Sequence, residues 1–300
     1  NTAAAAGAGA NGWIASLVKD ASGLTQQQIN DKQPIINANL IGIVAGTDVT
    51  TALSNFLNNS TISQISLPPG EYTVSNKITV NATIPKKIIC QQGAIIKANL
   101  LANTNLFDCY SYFEHENLTI DFNNSYCKNG FNYRASVGTV RFDNLIMKNL
   151  NDTAATYGTN LVYIDSSNVI DIGKATFSNC KKLGNGSITD AEGSLQCLYV
   201  SGTSTTPRGG VIDTIEITDV HNVNSSGSVI IEDTAGFYVG VNGNSIPLTV
   251  RRIVGKEFGK RLVKLQCSDI AIDYIYGLSE TGDSLSVIGV LSEPNSFVSY

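Results

Sequence analysis

Charge is scarce in these 300 residues: Lys, Arg, Asp and Glu together supply 15%, against roughly 25% in typical soluble domains. The net charge of −5 argues against nucleic acid, which calls for a basic stripe. No apolar run reaches the roughly 18 residues of a membrane-spanning helix. Among the six cysteines (Cys90, Cys109, Cys127, Cys180, Cys197 and Cys267) no two form a Cys-x-x-Cys pair, which argues against zinc. Read as small buried hydrophobes, they predict reduced thiols and folding in a reducing compartment. The two histidines, His115 and His221, show no metal-ligand spacing and accompany no nucleophile, so both read as structural. No Gly-x-Ser-x-Gly elbow is present. No metal and no cofactor is called for.

Turn residues and short alternating strands take the place of charge and of long helices. Apolar residues at 42% suffice for a core, and Asn, Ser, Thr and Gly fill the rest, as expected where Asn side chains stack between turns. One strand series reads Asn117–Asp121, Asn168–Ile172, Thr214–Thr218 and Asp269–Asp273. A second reads Leu161–Asp165, Cys197–Ser201, Val229–Asp233 and Leu262–Gln266, its starts 36, 32 and 33 residues apart. Recurrence at this period without intervening helices predicts an all-β solenoid, a right-handed, single-stranded parallel β-helix.

Residues 1–36 read as a linker or neck with a short helix, Thr25-Gln26-Gln27-Gln28 having capping-box spacing. Residues 37–300 read as the β-helix domain. Within it Thr47 or Asp48 caps a predicted lid helix over about 47–58, with Val49, Leu53, Phe56 and Leu57 on one face. The chain begins at Asn1 with no Met and no signal-peptide pattern, as in a fragment or a processed product.

The run Leu67-Pro68-Pro69-Gly70-Glu71-Tyr72-Thr73-Val74 places a turn between two extended segments. Following a lid helix, it resembles the opening of the pectate-lyase-like β-helix proteins, in particular phage tailspike depolymerases. The stretch from Asn11-Gly12-Trp13 to Leu24-Thr25-Gln26-Gln27-Gln28-Ile29-Asn30 resembles the linker before their β-helix, and Phe258–Leu265 resembles one of their rungs. The resemblance implies a homotrimer carried on the virion, joined to the phage tail or baseplate through a region N-terminal to this chain. It also implies action outside the cell on a bacterial capsular or O-antigen polysaccharide. The ordered Asn-Thr-Asp, Asp-Asp, Gly-His-Gly and Arg-x-Lys set of polygalacturonases is missing, and Arg208 stands alone where calcium-dependent lyases carry an acidic cluster and a basic Arg.

Alternation in the second series predicts Val162, Ile164, Leu198, Val200, Val229, Ile231, Val263 and Leu265 inward. The outward rows are then Tyr163, Tyr199, Ile230, Lys264 and Asp165, Ser201, Glu232, Gln266. Two rungs separate Asp165 from Glu232, roughly 9–10 Å at the backbone. Inverting glycosidases hold their two carboxyls about 6.5–9.5 Å apart, so Glu232 as acid or base with Asp165 as partner predicts endo-glycosidic hydrolysis. Asp233 and Glu192 are the substitutes if the register shifts. Tyr163 and Tyr199 are predicted to stack on sugar rings, with Lys264 and Gln266 as further substrate contacts.

Simpler roles compete at the same positions. Carboxylates at strand ends commonly bind turn amides, and outward tyrosines commonly pack across strands. A slip of one residue turns each outward row inward. A lyase with Tyr199 and Lys264 as bases, a non-catalytic receptor spike and a structural stalk therefore stay open beside the hydrolase.

Overall fold

The computed structural model describes residues 35–101, 103–154, 156–184, 193–202, 204–230, 233–279 and 286–290. It is an all-β structure in which the chain revisits three parallel ladders in a fixed order, the connectivity of a parallel β-helix. The first ladder opens with Ile36–Asn37, Gln64–Leu67, Lys86–Cys90 and Phe113–Glu116. The second opens with Gly70–Val74, Ala94–Ala98 and Leu118–Asp121. The third runs through Ile78–Val80, Asn105–Cys109, Asn129–Tyr133, Thr159–Asp165 and Leu195–Ser201. Later strands such as Thr139–Asp152, Val169–Leu183 and Gly210–Val223 bend from the first ladder into the second without a break. Thr234–Phe258 starts on the third ladder and continues through the other two.

Period-two alternation drives every ladder, because one set of side chains must fill the space that the three ladders enclose. In the first ladder Ile65, Ile88, His115, Phe142, Ile172, Ile212 and Val250 are successive register partners, and all are buried. The third stacks Ile78, Phe107, Phe131, Val162, Leu198, Phe237 and Val263 in the same way. Aromatic rings pile up at the middle turns: Phe107 on Phe131 at 4.8 Å, Phe131 on His115 at 4.9 Å, His115 on Phe142 at 4.9 Å. All six cysteines are free and buried, and burial pushes the Cys90, Cys180 and Cys267 thiols up to about 12.

The expected stacking of Asn between turns is present. Asn149 donates to Asp121 at 2.9 Å and Asn179 to Asn149 at 2.9 Å. Asn149, Asn179, Asp219 and Glu257 follow one another in register in the second ladder, all with positive φ near 50–60°. Asn and Asp tolerate that conformation better than most residues, and their side-chain bonds tie one turn to the next.

Helix α1 (Thr50–Asn58) lies within the predicted 47–58 and buries Leu53, Phe56 and Leu57 in the common core. The N-cap position is Val49, with no side-chain capping bond, rather than the expected Thr47 or Asp48; Asp48, one residue earlier, accepts from the Thr50 backbone at 2.9 Å. The Pro68-Pro69 turn joins the first two ladders as expected. The predicted neck helix falls on residues 1–34, outside those described.

Two strand assignments are corrected. The first sequence series mixes ladders: Leu118 and Ile215 belong to the second, Ile170 and Ile270 to the first. Inward alternation is the same on every ladder, so it carries no label for which one a strand joins. In the second series, Val229–Ile230 does not follow Cys197–Ser201. It pairs antiparallel with the end of Gly210–Val223, Val229 opposite Val223. The strand that succeeds Leu195–Ser201 begins at Thr234, with Phe237 beside Leu198 and Tyr238 beside Tyr199. Even spacing suggested Val229, whereas the true interval from Cys197 is longer and the following one shorter.

Candidate functional site

The outer surface of the third ladder carries the most organised set of polar side chains. Its leading column is amide: Asn129 donates to Asn105 at 2.8 Å and Asn160 to Asn129 at 2.9 Å. Gln196 continues the column and donates to the Asp233 carbonyl at 2.9 Å. Parallel registry forces this stacking, since equivalent residues on neighbouring strands sit about 4.8 Å apart.

Three residues further along each strand lies the column Asp108, Asn132, Tyr163, Tyr199, Tyr238 and Lys264. Tyr163 meets Tyr199 edge-on at 5.5 Å, and Tyr199 stacks on Tyr238 at 4.3 Å with planes 5° apart. The Lys264 ammonium sits 4.4 Å from the Tyr238 ring centroid. The Tyr199 and Tyr238 ring faces are thus taken up by one another, by the Tyr163 edge and by Lys264. Sequence reasoning assigned ring stacking on sugars to Tyr163 and Tyr199; for Tyr199 this geometry leaves the hydroxyl and the ring edge as the surface on offer. Burial, then the neighbouring Asp165 and Tyr199, pushes the Tyr163 hydroxyl pKa up, and burial first of all does the same for Tyr238. Both hydroxyls therefore remain proton donors.

Charged groups close the two ends. At one, Asp108 is 3% exposed and accepts from Asn132 at 2.8 Å and from Arg134 at 2.9 and 3.3 Å. That bond raises the Arg134 pKa further. At the other, Asp233 is 9% exposed and accepts from Arg261 at 2.8 Å and from Lys264 at 2.8 and 3.1 Å. Tyr238 donates to Gln266. Gly240 lies beside them, where a Cβ would come within 2.8 Å of the Tyr238 hydroxyl.

Three depressions follow this surface and share residues. The first is lined by Asn76, Lys77, Asn105, Asp108, Lys128 and Arg134 among others. The next shares Asn105, Lys128 and Arg134 and adds Asn129, Asn132, Asn160 and Tyr163. The third, about 450 Å³, shares Asn160 and adds Gln196, Tyr199, Asp233, Tyr238, Lys264 and Gln266. Together they make one elongated groove.

The expected carboxylate pair is not assembled by the described residues. The column containing Asp165 continues through Ser201, Gly240 and Gln266, so Gly240 stands where Glu232 was expected and Tyr238 where Ile230 was. Asp165 lines none of the three depressions. Its Oδ1 accepts from the Ser167 amide at 3.0 Å and from the Ser167 hydroxyl at 2.5 Å, closing a turn. Asp233 precedes its strand while Asp165 ends its own. Seven residues at about 3.3 Å and two rungs at about 4.8 Å put their backbones roughly 25 Å apart, far beyond the glycosidase range of about 5–9.5 Å. Glu232 and Glu192 lie outside the described residues. Tyr163, Tyr199, Lys264 and Gln266 do share the groove.

Sequence reasoning missed Tyr238, Asp108, Arg134 and the amide column. The column had a signal: Asn105-x-Phe107-x-Cys109, Asn129-x-Phe131-x-Tyr133, Asn160-x-Val162-x-Ile164 and Gln196-x-Leu198-x-Val200 share one pattern. Among the described residues no group of three or more His, Cys, Asp or Glu is placed to hold a metal ion, and no helix is long and apolar enough to cross a membrane. No protein-family model, no curated protein and no solved structure matches the chain.

Proposed function

We propose that the chain is the body of a phage tailspike, a right-handed β-helix working as a homotrimer, and that its third ladder holds an extended bacterial surface polysaccharide, capsule or O-antigen. The observation carrying this reading is the continuity of the groove. Three overlapping depressions run along successive strands, lined by amides, tyrosine hydroxyls and cations. A polymer of polyhydroxylated rings needs many directional donors and acceptors along a line, and a parallel ladder repeats them every turn. The virion location, the tail attachment and the choice of capsule or O-antigen rest on the likeness of Leu67–Val74 and Phe258–Leu265 to tailspike sequences.

Cleavage by endo-glycosidic hydrolysis belongs to the same proposal, with its centre moved to the Asp233 end of the groove. Asp233, engaged by Lys264 and Arg261, suits a base or nucleophile; Glu232 or Glu192 is assigned the acid. Asp165 becomes a turn residue. A second reading draws on the same cluster: a lyase in which Asp233 takes a proton from a uronic ring and Tyr238, which keeps its own, donates it to the leaving oxygen.

The test is the size profile of capsular and O-antigen polysaccharides from a host panel after incubation with the protein. Oligosaccharides without ultraviolet absorbance support the hydrolase; absorbing unsaturated ends support the lyase. Intact polymer that still binds leaves a receptor spike. Intact polymer that does not bind to the wild-type protein overturns the reading of the groove.

A further inference from the structure

We propose that the polymer held in this groove is acidic, and that Lys77, Lys128 and Arg134 form a station for its carboxylate groups at one end of the amide column. This rests on the reading of the third ladder as a polysaccharide groove and deepens it by naming the substrate class.

The chain as a whole is acidic, at −5, yet the charges lining the groove run the other way. Among the described lining residues the carboxylates are Asp108 and Asp233, and each is engaged by cations of its own. Lys77 and Lys128 are exposed and make no ion pair with any described residue. They are left over once Asp108 has taken Arg134.

The first ladder shows that this surplus does not follow from the fold. There Lys87 pairs with Glu114 and Glu116, Arg141 with Asp171, and Arg251 with Asp213. Strands of the same geometry pair Lys87, Arg141 and Arg251 on one side of the molecule and leave Lys77 and Lys128 without an ion pair to any described residue on the other. An unmatched cation beside a polar groove is an arrangement that an anionic ligand completes.

Arg134 has the build of an anion receptor. Asp108 holds Nε and Nη2, Tyr110 lies 5.4 Å beneath the guanidinium, and the side chain is still 44% exposed. A guanidinium fixed on one edge presents its remaining donors in a set direction, which suits a planar carboxylate. Between this station and Lys264, four rungs away or about 19 Å, the amide column offers neutral donors. Each Asn that spends one N–H on its neighbour keeps a second for a sugar hydroxyl. The arrangement reads an acidic group, several neutral ring positions, then a second cationic site.

The experiment measures binding of the full chain to immobilised polygalacturonate, polysialic acid, a panel of acidic capsular polymers and neutral dextran. Every polymer that binds is then retested after chemical reduction of its carboxyl groups. Acidic polymers are expected to bind, and their reduced forms to bind about tenfold more weakly or worse, as for loss of a charge-assisted contact. The Lys77→Gln/Lys128→Gln double variant should lose a similar factor with an unchanged circular dichroism spectrum, and Lys77→Arg/Lys128→Arg should retain binding. Lys97→Gln/Lys174→Gln, on the second ladder, serves as the control for general electrostatics and should change little. Equal binding of a carboxyl-reduced polymer overturns the acidic substrate while leaving the groove intact. A double variant that binds like wild type overturns the lysine station. Failure of every polymer to bind the wild-type protein overturns both the groove and its charge preference.

Discussion

The first and third ladders have the same backbone and nearly the same inner faces, yet their outer faces follow opposite rules. On the first, charges face charges: Lys87 bridges Glu114 and Glu116, Arg141 meets Asp171, and Arg251 meets Asp213. On the third, like stacks on like: Asn on Asn, Tyr on Tyr, with cations at both ends. The inner columns hold the coils together, which leaves the outer residues free to differ. The first ladder spends that freedom on mutual neutralisation, the third on a groove with unmatched donors.

The largest expected effect removes the ground that both faces share. Phe131 stacks on Phe107, His115 and Tyr133 with no exposure. Phe131→Ala should cost about 3–5 kcal/mol, the range for a buried aromatic cavity. Urea unfolding would measure it, and a loss below about 1 kcal/mol would mean that the middle coils are packed otherwise.

Next comes a change confined to the groove. Asp233→Ala leaves Lys264 and Arg261 facing each other at a largely buried position. Breaking such a pair costs about 3 kcal/mol, and polymer cleavage should disappear with it. Thermal melts and the polysaccharide size profile would record both; retained cleavage would remove Asp233 from the proposed centre.

The interior also has an acid-sensitive point. Burial holds the His115 imidazole down to about 3, whereas the unfolded chain titrates near 6.5. Between those values the unfolded state binds the extra proton, so stability is fully present above about pH 6.5 and falls as pH drops towards 3, by about 1.4 kcal/mol per unit. His115→Phe, in a column already shared with Phe142, should flatten that limb in denaturation curves taken from pH 7 to 4. An unchanged slope would assign acid sensitivity elsewhere.

The smallest effect belongs to the first ladder. Arg141 and Asp171 are 57% and 59% exposed, so Arg141→Gln should shift stability by less than about 0.5 kcal/mol and leave polymer binding unchanged. A binding loss equal to that of the Lys77/Lys128 variant would erase the contrast between the two faces.

Much of the architecture was legible in the chain. Helix α1, the Pro68-Pro69 turn, the Asn stacks and the alignment of Val162 with Leu198 and Tyr163 with Tyr199 all follow from local patterns. The site was legible only in part. Tyr163, Tyr199, Lys264 and Gln266 share a groove, but the even spacing of Val229 hid the strand that supplies Tyr238. Asp165, read as half of a carboxylate pair, closes its own turn with Ser167. A turn carboxylate and a groove carboxylate look alike in sequence, because what separates them is which strand lies alongside.

The sequence by itself determined that this protein alternates, turns often and buries one side of each strand, since those properties depend on neighbours two or three residues away. Only the tertiary structure decided which strand joins which ladder, and so which residues from distant turns stand side by side. That choice is made by the lengths of the connections and by packing inside the coil. It alone brings Asn105, Asn129 and Asn160 into one column, lays Tyr238 on Tyr199, and leaves Lys77 and Lys128 unmatched at the end of the groove.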